Sequence, residues 1–448
     1  MTVMKPGHEP SREPGCEPGR ETGRGDAGQA AGMAKLTGAR VLLLVPARTY
    51  RAADFLLAAN RLGLDLVVGS DGALPLGGRP VVQAGPGDPH ASADRLLAQC
   101  GPVDAVVAAD TPMLVLAAEV AARMGLAHNP VEAVIAATDK AEQRCRWARA
   151  GVAQPTFRVV PAAAPQDWVG QAAAQVGFPC VVKAVSLSAS QGILRADDSA
   201  AAVAAAQRIR RILAAARRPA NEPLLIEEYV PGWELSIDGL LSAGDLTVTA
   251  IFDKPDTPDG PTFEETLLIT PSRLPGHVLS AAAGTAGRAA RALGLRYGPI
   301  HAELRIDDRA GAATPTMLEL AARSIGGLCS RALRFPGGMS LEEMVLADAL
   351  GHRVLPLHLD RTCGVLMLPV NRPGVLQTVD GRAEAAAVPG ITGLTVTIPI
   401  GQRVDPLPDG DKYLGFVFAE GVTHHQVETA LRAARERLRV VIQAVQRP

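Results

Sequence analysis

Two short apolar runs, each carrying one glutamate, constrain the fold of this chain most strongly. Gly298–Ile306 and Thr316–Leu320 are strand-like, and the segment that joins them is polar and contains glycine. Such a pair predicts a β-hairpin, which brings Glu303 and Glu319 side by side. Adjacent carboxylates repel each other unless a cation joins them, and oxygen ligands suit a hard ion such as Mg²⁺. The pattern therefore indicates a metal site on a hairpin, with an exposed hairpin of scattered charges as the simpler alternative.

Two basic side chains accompany these carboxylates. Arg323 follows Glu319 by four residues, and a guanidinium in that position suits a phosphate or a developing oxyanion. His301 lies two residues before Glu303, so both side chains point to the same face of the predicted strand. His301 is a candidate for contact with the substrate, and a hydrogen-bonded structural histidine is the alternative.

The composition excludes several classes of function. The 448 residues allow roughly three domains. The chain has 45 basic and 46 acidic residues, and a net charge of −1 gives no general attraction to nucleic acid or to an anionic membrane. Aromatic residues make up only 3%, which leaves few stacking platforms for single-stranded nucleic acid. No uncharged run reaches the ~18 apolar residues that a membrane-spanning helix needs.

The cysteines and the N-terminal segment bear on location and on the first folded residue. The six cysteines lie far apart without a Cys-x-x-Cys pair, so neither a zinc site nor a disulfide framework is indicated, and a reducing cytoplasm is favoured. Residues 1–37 are rich in Gly, Pro, Glu and Arg and are predicted to form a disordered tail. Met33 directly precedes the first folded segment and is a candidate natural start, with a functional tail as the alternative.

Residues 38–128 alternate between short apolar strands and helices. Val41–Pro46 is the first strand, and Ala52–Leu62 is the first helix. Strands spaced by helices of this length predict a parallel, doubly wound sheet. The first strand runs into Pro46–Thr49 rather than a Gly-x-Gly-x-x-Gly turn, so a nicotinamide dinucleotide site is disfavoured.

Two lysines and a loop of small residues stand out further along the chain. Asp139 is a predicted N-cap, which puts Lys140 in the first turn of a helix, where its charge opposes the helix dipole and indicates a nearby anion. Lys183 ends a buried apolar strand, where lysine is unusual without a partner. The loop Ser188–Gly192 offers amides and hydroxyls that can close over a phosphate. Taken singly, Lys140 is more simply read as a solvated lysine.

The order and spacing of these features resemble the ATP-grasp superfamily of carboxylate–amine ligases, over roughly residues 39–350. The resemblance rests on the succession of motifs rather than on any one of them. Those motifs are Asp139-Lys140, Val181-Val182-Lys183, Ser188–Gly192, Glu227-Glu228-Tyr229-Val230-Pro231-Gly232-x-Glu234, Glu303, Glu319 and Arg323.

The resemblance implies a role for each matching position. It implies bound ATP and Mg²⁺, with two ions expected and Mn²⁺ as an alternative. In sequence order, Lys140 and Lys183 correspond to the lysines that hold the ATP phosphates, Ser188, Ser190 and Gly192 to the loop that covers them, Glu227 and the Val230 backbone to the adenine hinge, Glu234 to the ribose acceptor, Glu303 and Glu319 to the metal ligands, and Arg323 to the residue that stabilises the transferred phosphoryl group. Glu228 is a further candidate at the hinge, with an exposed carboxylate as the simpler alternative, and His301 is a catalytic candidate from its place on the strand face.

One position departs from the common pattern. Many ATP-grasp enzymes have an asparagine ligand where this chain has Ala321, which cannot bind metal. The form Glu-x-Ala-Ala-Arg-x-x-Gly-Gly resembles the L-amino-acid ligase branch, which makes dipeptides and related amides. Gly364–Leu368, Pro389-Gly390 and Tyr413–Val417 are similar to its small C-terminal domain. A degenerate protein with weakened metal binding is the alternative.

The expected architecture is an α/β, ATP-grasp fold in three parts. An N-terminal doubly wound domain (38–128) precedes a two-lobed nucleotide-binding module (129–358, with a lid at about 155–238) and a small, separate C-terminal α+β domain (359–448) whose final helix is expected at Gln426–Gln446. The resemblance implies a cytoplasmic, homodimeric ligase that couples a small-molecule carboxylate to an amine at the expense of ATP. A carboxylase-type enzyme that activates bicarbonate and a non-catalytic nucleotide-binding protein are the alternatives.

Overall fold

The computed structural model describes residues 36–444, except 48, 75–79, 85–86, 308–313, 334 and 353–360. The predicted tail lies outside the described residues apart from its last two positions, and so do Met33, Cys16 and most of the hairpin connection. Within the described ranges, no helix is long and apolar enough to cross a membrane.

The N-terminal part is a four-stranded, fully parallel sheet, as the alternating pattern predicted. The strand order is β3-β2-β1-β4, and the five apolar residues of the central strand β1 from Val41 to Val45 are completely buried. The third strand was not predicted because it is only three residues long. The elements are β1 Arg40–Val45, α1 Ala52–Arg61, β2 Asp65–Ser70, β3 Val81–Gln83, α2 Pro89–Cys100, β4 Ala105–Ala108 and α3 Leu114–Arg123.

Two short helices lead into a small antiparallel unit, which we call the lid. The second of these helices begins at Lys140, and the carboxylate of its N-cap Asp139 accepts a hydrogen bond from the Glu142 amide at 2.9 Å, so the predicted cap is confirmed. The lid sheet has the order β5-β8-β6-β7, and two helices pack on it through a cluster that includes Val182 and Ile209. The elements are α4 Val131–Ala137, α5 Lys140–Arg149, β5 Phe157–Val160, α6 Gln166–Val176, β6 Cys180–Ala184, β7 Ile193–Ala196, α7 Ser199–Ala215 and β8 Leu224–Glu228.

The largest element is an antiparallel sheet of eight strands in the order β13-β12-β9-β10-β11-β14-β18-β16. Its last three strands come from the region predicted to form a separate C-terminal domain, so that region continues the central sheet instead of standing apart from it. The division of the chain into domains stays a prediction. The strands and adjoining helices are β9 Trp233–Ser242, β10 Asp245–Asp253, β11 Leu267–Thr270, α8 Gly276–Leu293, β12 Gly298–Asp307, β13 Thr314–Ala321 and α9 Leu341–Ala349, followed by β14 Thr362–Leu368, β16 Ile391–Val396 and β18 Gly415–Gly421.

The end of the chain corrects one prediction. The helix expected at Gln426–Gln446 begins at His424, two residues earlier, and ends at Arg437, and Arg439–Gln443 is a strand. The run Val-Val-Ile has β-branched side chains that favour a strand, and it pairs antiparallel with the strand that ends at Asp380. The remaining elements are β15 Gly374–Asp380, α10 Arg382–Ala386, β17 Arg403–Val404, α11 His424–Arg437 and β19 Arg439–Gln443.

Candidate functional site

A deep cleft lies between the lid and the central sheet. The lid contributes Lys183, and the central sheet contributes Glu303 and Glu319. Tyr50 closes the cleft from the N-terminal part, and Tyr413 closes it from the C-terminal part. All parts of the chain therefore meet at one site.

The predicted hairpin is present and brings the two carboxylates together. Glu303 of β12 is directly opposite Glu319 of β13, and the register shifts immediately after this pair. Both side chains are about a quarter exposed to the cleft. The Lys140 ammonium lies 3.0 Å from Glu319 and donates a hydrogen bond to the Leu187 carbonyl at 2.5 Å. Lys140 therefore contacts the site by pairing with Glu319. The anion that its position at the helix N-terminus indicated is the Glu319 carboxylate.

Two buried side chains, Asp238 and His301, form a chain of polar contacts that ends at Glu303. The His301 ring lies 3.1 Å from Asp238 through Nδ1 and 3.5 Å from Glu303 through Nε2. Burial opposes the charged imidazole, but the Asp238 and Glu303 carboxylates outweigh burial and raise the pKa of His301 to about 9. The other Asp238 oxygen accepts a hydrogen bond from the Ile325 amide at 2.7 Å, which fixes the aspartate. His301 is therefore a cation at neutral pH that orients a predicted metal ligand.

Arg323 joins the central sheet to the N-terminal part. Its Nε donates a hydrogen bond to the Thr111 hydroxyl at 2.9 Å and lies 3.7 Å from Asp110. Another guanidinium nitrogen donates to the Ser324 carbonyl at 2.9 Å. These contacts hold the guanidinium at the wall of the cleft, beside Glu303 and Glu319. The site thus presents two carboxylates next to one fixed arginine, as the sequence predicted.

Lys183 belongs to a buried ion-pair network at the lid end of the cleft. Its ammonium lies 2.5 Å from one oxygen of Glu227, and Arg144 donates to the other oxygen at 2.6 Å. Burial alone raises the pKa of Glu227, but the Arg144 guanidinium and the Lys183 ammonium outweigh burial and hold that pKa below its ordinary value. Arg144 also donates to the Leu318 carbonyl at 2.6 Å, which ties the network to β13.

The segment after β8 forms the hinge between the lid and the central sheet. Glu228 is exposed, and the Val230 carbonyl accepts a hydrogen bond from Arg305 at 2.7 Å. The Tyr229 ring lies between two guanidinium groups, 4.8 Å from that of Arg195 and 5.1 Å from that of Arg305. Glu228, Tyr229 and Val230 all line the cleft.

Glu234 has two cationic partners. Its carboxylate accepts hydrogen bonds from Lys254 at 2.8 Å and from Arg305 at 2.9 Å. Lys254 is buried, pairs closely with Glu265, and lies 3.6 Å from Glu303. Although burial disfavours its charge, these three carboxylates raise the pKa of Lys254 well above its usual range. Lys254 therefore lies among these three carboxylates and compensates part of their negative charge.

The acidic residues fit a divalent ion. Oxygen atoms of Glu234, Glu265 and Glu303 lie within 4.8 Å of one another, and Glu319 is paired with Glu303 across the hairpin. Carboxylate oxygens are the donors that Mg²⁺ prefers. Ala321 contributes no donor, and Lys254 neutralises part of the cluster. Glu303, Glu319 and Glu265 are each about a quarter exposed and line the cleft, and Glu265 is the one of these three that pairs most closely with Lys254.

The loop Ser188–Gly192, which we call the phosphate loop, lies at the rim of the cleft. Ala189 and Ser190 have positive φ values of 56° and 57°, and both residues line the cleft. The Gln191 amide donates to the Ser188 carbonyl at 3.2 Å, which closes the loop into a tight turn. Ala189 and Ser190 thus share the cleft with Lys183 and Arg323.

Beyond the charged cluster, the cleft becomes apolar. Its wall there consists of aromatic, aliphatic and sulfur-containing side chains together with the backbone of Gly326 and Gly327. A larger residue in place of Gly327 would meet the Phe416 ring, because a Cβ there would lie 2.7 Å from that ring. The side chains of this apolar end are Tyr50, Leu268, Cys329, Met367 and Tyr413, whereas the Phe263 ring lies at the hinge, 6.4 Å from that of Tyr229.

Several site residues were missed by the sequence analysis. Arg305 carries a usable signal, because it continues the alternation of His301 and Glu303 along one strand face. Arg144, Asp238 and Lys254 carry no local signal, since their partners come from distant segments. Only the folded chain reveals that these residues are buried next to opposite charges.

Comparison with known proteins agrees with this architecture. Residues 176–332 match the ATP-grasp domain family, and residues 366–443 match the family described as L-amino acid ligase C-terminal domain 2. Alanine–anticapsin ligase of Bacillus subtilis is 28% identical over 240 residues, which are 50% of this chain and 49% of that protein. Across the first three curated relatives, the chain spans between 24% and 61% of the relative's length.

Solved structures share the whole fold. An L-amino acid ligase from Bacillus licheniformis superposes with a TM-score of 0.75 at 23% identity, covering 91% of this chain and 100% of that one. Biotin carboxylase from Campylobacter jejuni superposes with a TM-score of 0.63 at 14% identity, covering 89% and 92% of the two chains.

The fold and the charged cleft between lid and central sheet agree with the family matches: residues 176–332 form an ATP-grasp domain. Residues 366–443 form an L-amino acid ligase C-terminal domain, and the homologues of this chain include carboxylate–amine ligases such as alanine–anticapsin ligase.

Proposed function

We propose that this protein is an ATP-dependent ligase that joins the carboxylate of an amino acid, or of a similar acid, to an amine. The observation that carries the proposal is the pairing of Glu303 with Glu319 beside Arg323, in one cleft that is lined both by charged lid residues and by apolar residues. A nucleotide and an acyl substrate that share this cleft would meet at these three residues.

The chemistry needs activation of a poor acyl donor. A carboxylate oxygen attacks the γ-phosphorus of ATP, the bond to the bridging oxygen breaks, and ADP leaves. The amine nitrogen then attacks the acyl carbon, phosphate leaves with the bonding electrons, and the nitrogen loses a proton to water. The products are a dipeptide or amide, ADP and phosphate, and no protein nucleophile takes part.

Fixed charges in the cleft perform most of this work. Lys183 binds the phosphates, and Lys140, whose ammonium pairs with Glu319, adds its positive charge beside them. The hinge around Glu227, Glu228 and Val230 receives the adenine, and Glu234 receives the ribose. Arg323 faces the transferred phosphoryl group, where a fixed guanidinium stabilises developing negative charge.

Glu303 and Glu319 would hold divalent metal, with Mg²⁺ the ion that suits their oxygen donors. When bound, the metal neutralises charge on the phosphates during transfer. His301 orients Glu303 from behind, and the phosphate loop, with Ser188, Ser190 and Gly192, excludes water from the reactive acyl phosphate.

The apolar end of the cleft favours an acyl substrate with an apolar side chain. Leu268, Met367 and Tyr413 offer no charge to a polar substituent, whereas apolar surface gains about 25 cal/mol per Å² when it is buried. This end also favours the ligase over a carboxylase, because bicarbonate has no side chain to fill it.

Cys100, Cys145 and Cys180 are unpaired thiols, which supports a cytoplasmic location, and we expect a homodimer.

The test is release of ADP and phosphate from ATP and Mg²⁺ with single and paired amino acids. We expect turnover only with particular pairs, a coupled product of the corresponding mass, and loss of at least about 100-fold in Glu319→Ala. The variant Glu436→Ala, at an exposed position, serves as the matched control. Turnover with bicarbonate alone would favour the carboxylase, and tight ATP binding without turnover would favour the non-catalytic protein.

A further inference from the structure

The phosphate loop contacts a turn from the C-terminal part of the chain. This turn, Pro406–Gly410, lies between β17 and β18. The Gly192 amide donates a hydrogen bond to the Pro408 carbonyl at 3.1 Å, and the Gln191 side-chain amide donates to the Asp409 carbonyl at 3.0 Å. Two donors of the phosphate loop therefore form hydrogen bonds with backbone carbonyl groups of one turn, which lies more than 200 residues further along the chain.

An ion pair reinforces the same contact from the helix behind the loop. Arg208 of α7 donates from Nε to one Asp409 oxygen at 3.4 Å and from a second nitrogen to the other oxygen. This two-point arrangement fixes orientation as well as distance. The Arg208 and Asp409 side chains are 39% and 43% exposed, so the pair lies at the surface rather than in a core.

The turn itself is a firm support. Leu407 and Pro408 are buried, and the amides of Asp409 and Gly410 both donate to the Pro406 carbonyl. A Cβ atom on Gly410 would overlap the Asp405 carbonyl, so only glycine fits there. A contact with this turn therefore holds the phosphate loop in one position.

The same segment continues into the substrate end of the cleft. Asp411 and Tyr413, the next residues after the turn, line the cleft. One short segment thus contacts the loop that covers the phosphates and forms part of the wall that would receive the acyl group.

We propose that Asp409 and Arg208 are a positioning pair that docks the phosphate loop on the turn Pro406–Gly410, so that the lid closes fully only against the C-terminal part. The proposal rests on the proposed function insofar as it concerns a lid that closes over ATP. Asp409 acts through the loop and is not placed in contact with either substrate. The expected consequence is tight coupling, because a closed lid protects the acyl phosphate from water.

Other contacts of the lid remain when this pair is removed. The Arg195 amide donates to the Pro261 carbonyl at 3.0 Å, and its guanidinium donates to the Asp259 carbonyl at 2.7 Å. These bonds join the lid to the loop before β11, on a different surface. Variants of the exposed pair are therefore expected to fold, with the effect confined to the phosphate loop.

The experiment compares Asp409→Asn, Arg208→Gln and the charge-swapped double variant Asp409→Arg/Arg208→Asp with the unmodified full chain. Hydrogen–deuterium exchange of residues 186–194 is measured with a non-hydrolysable ATP analogue and Mg²⁺. We expect exchange to be ~2- to 5-fold faster in each single variant, as for loss of one exposed ion pair, and largely restored in the double variant. The ratio of ADP to amide product is expected to rise above one in the single variants only.

Asp405→Asn is the matched control, because Asp405 lies in the same segment and pairs with Arg403, 3.5 Å away, instead of with the lid. Exchange in Asp409→Asn and Arg208→Gln equal to that of the control would overturn the proposal. Exchange requires no turnover, so it decides the docking even if the unmodified chain forms no amide, a result that would count against the proposed function alone.

Discussion

At the scale of single residues, the cleft keeps its buried charges in matched groups, and the group around Glu227 joins the lid to the central sheet. Glu227 is 1% exposed and accepts hydrogen bonds from Arg144 and Lys183, one cation for each oxygen. Carboxylates leave water at a large cost unless such partners replace it. The network therefore exists because the lid strand brings Glu227 against helix α5 and strand β6.

Arg144→Met tests this pairing. The change removes one partner of Glu227 and the donor to the Leu318 carbonyl, and we expect the free energy of unfolding to fall by about 3 kcal/mol, with weaker ATP binding. Urea unfolding and titration calorimetry measure the two effects. Arg149→Met, at an exposed position of the same helix, is the control and should change neither. Equal stability of both variants would show that the network does not hold this part of the fold.

The Glu264 carboxyl group makes the stability of the fold depend on pH. Burial raises the pKa of Glu264 from its ordinary value of 4.5 to about 7. The folded state therefore binds this proton more tightly than the unfolded state. Ionisation costs no stability below the lower pKa, costs progressively more as the pH rises to about 7, and costs its full amount above that value.

Glu264→Gln removes that cost. Because Glu264 is partly exposed, solvent screening reduces the effect, and we expect the variant to be more stable than the parent by about 1 kcal/mol near pH 8 and equal to it near pH 4. Urea unfolding at both pH values measures the difference, with the exposed Glu384→Gln as control. A constant difference at both pH values would mean that Glu264 does not titrate in this way.

Some of the charged residues of the cleft could be identified from the sequence, and others could not. Glu303 and Glu319 are found opposite each other because a hairpin fixes register locally. Arg144 and Lys254 could not be identified, because their significance depends on carboxylates that reach them from distant strands. Local pattern reveals which residues share a strand face but not which remote charges will be buried beside them.

At the scale of elements, the hinge depends on one glycine. Gly232 has a φ of +109°, and a Cβ atom there would overlap the Ile306 carbonyl of the neighbouring strand. Strand β9 can therefore pair with β12 directly after the hinge only if residue 232 lacks a side chain.

Gly232→Ala is expected to lower the free energy of unfolding by more than about 2 kcal/mol, since strain and overlap add. Gly151→Ala is the matched control, because Gly151 also has a positive φ of 65° but open space around it, and it should lose only about 1 kcal/mol. Thermal or urea unfolding compares them. Equal losses would show that backbone strain alone, without the overlap, sets the cost.

Element types were largely predictable, and the exceptions have physical reasons. The final helix was expected to run from Gln426 to Gln446, yet Arg439–Gln443 forms a strand because β15, which pairs with β17 along one edge, offers its other edge to it. The three-residue strand β3 was missed because so short a run has no readable period. Pairing with distant strands decides whether such segments form a helix or a strand, and the local pattern of a single sequence does not show that pairing.

At the scale of the whole molecule, the nucleotide-binding and C-terminal parts share one sheet. Strand β11 pairs with β14, so the central sheet passes from the strands that carry Glu303 and Glu319 to the strands beside Tyr413 without a break. The sequence predicted separate units because composition and turns mark where elements end but not which strands become neighbours. A shared sheet holds the carboxylates of the cleft and its apolar wall in a fixed relation.

The most direct test of the central claim follows the carboxylate oxygen. The amino acid that supports turnover is labelled with ¹⁸O in its carboxylate, and the released phosphate is analysed by mass spectrometry. Because phosphate leaves from an acyl phosphate, our account predicts that each phosphate released with product carries one ¹⁸O atom from the substrate. Unlabelled phosphate, released together with an amide product, would contradict an acyl phosphate and with it the proposed ligase mechanism.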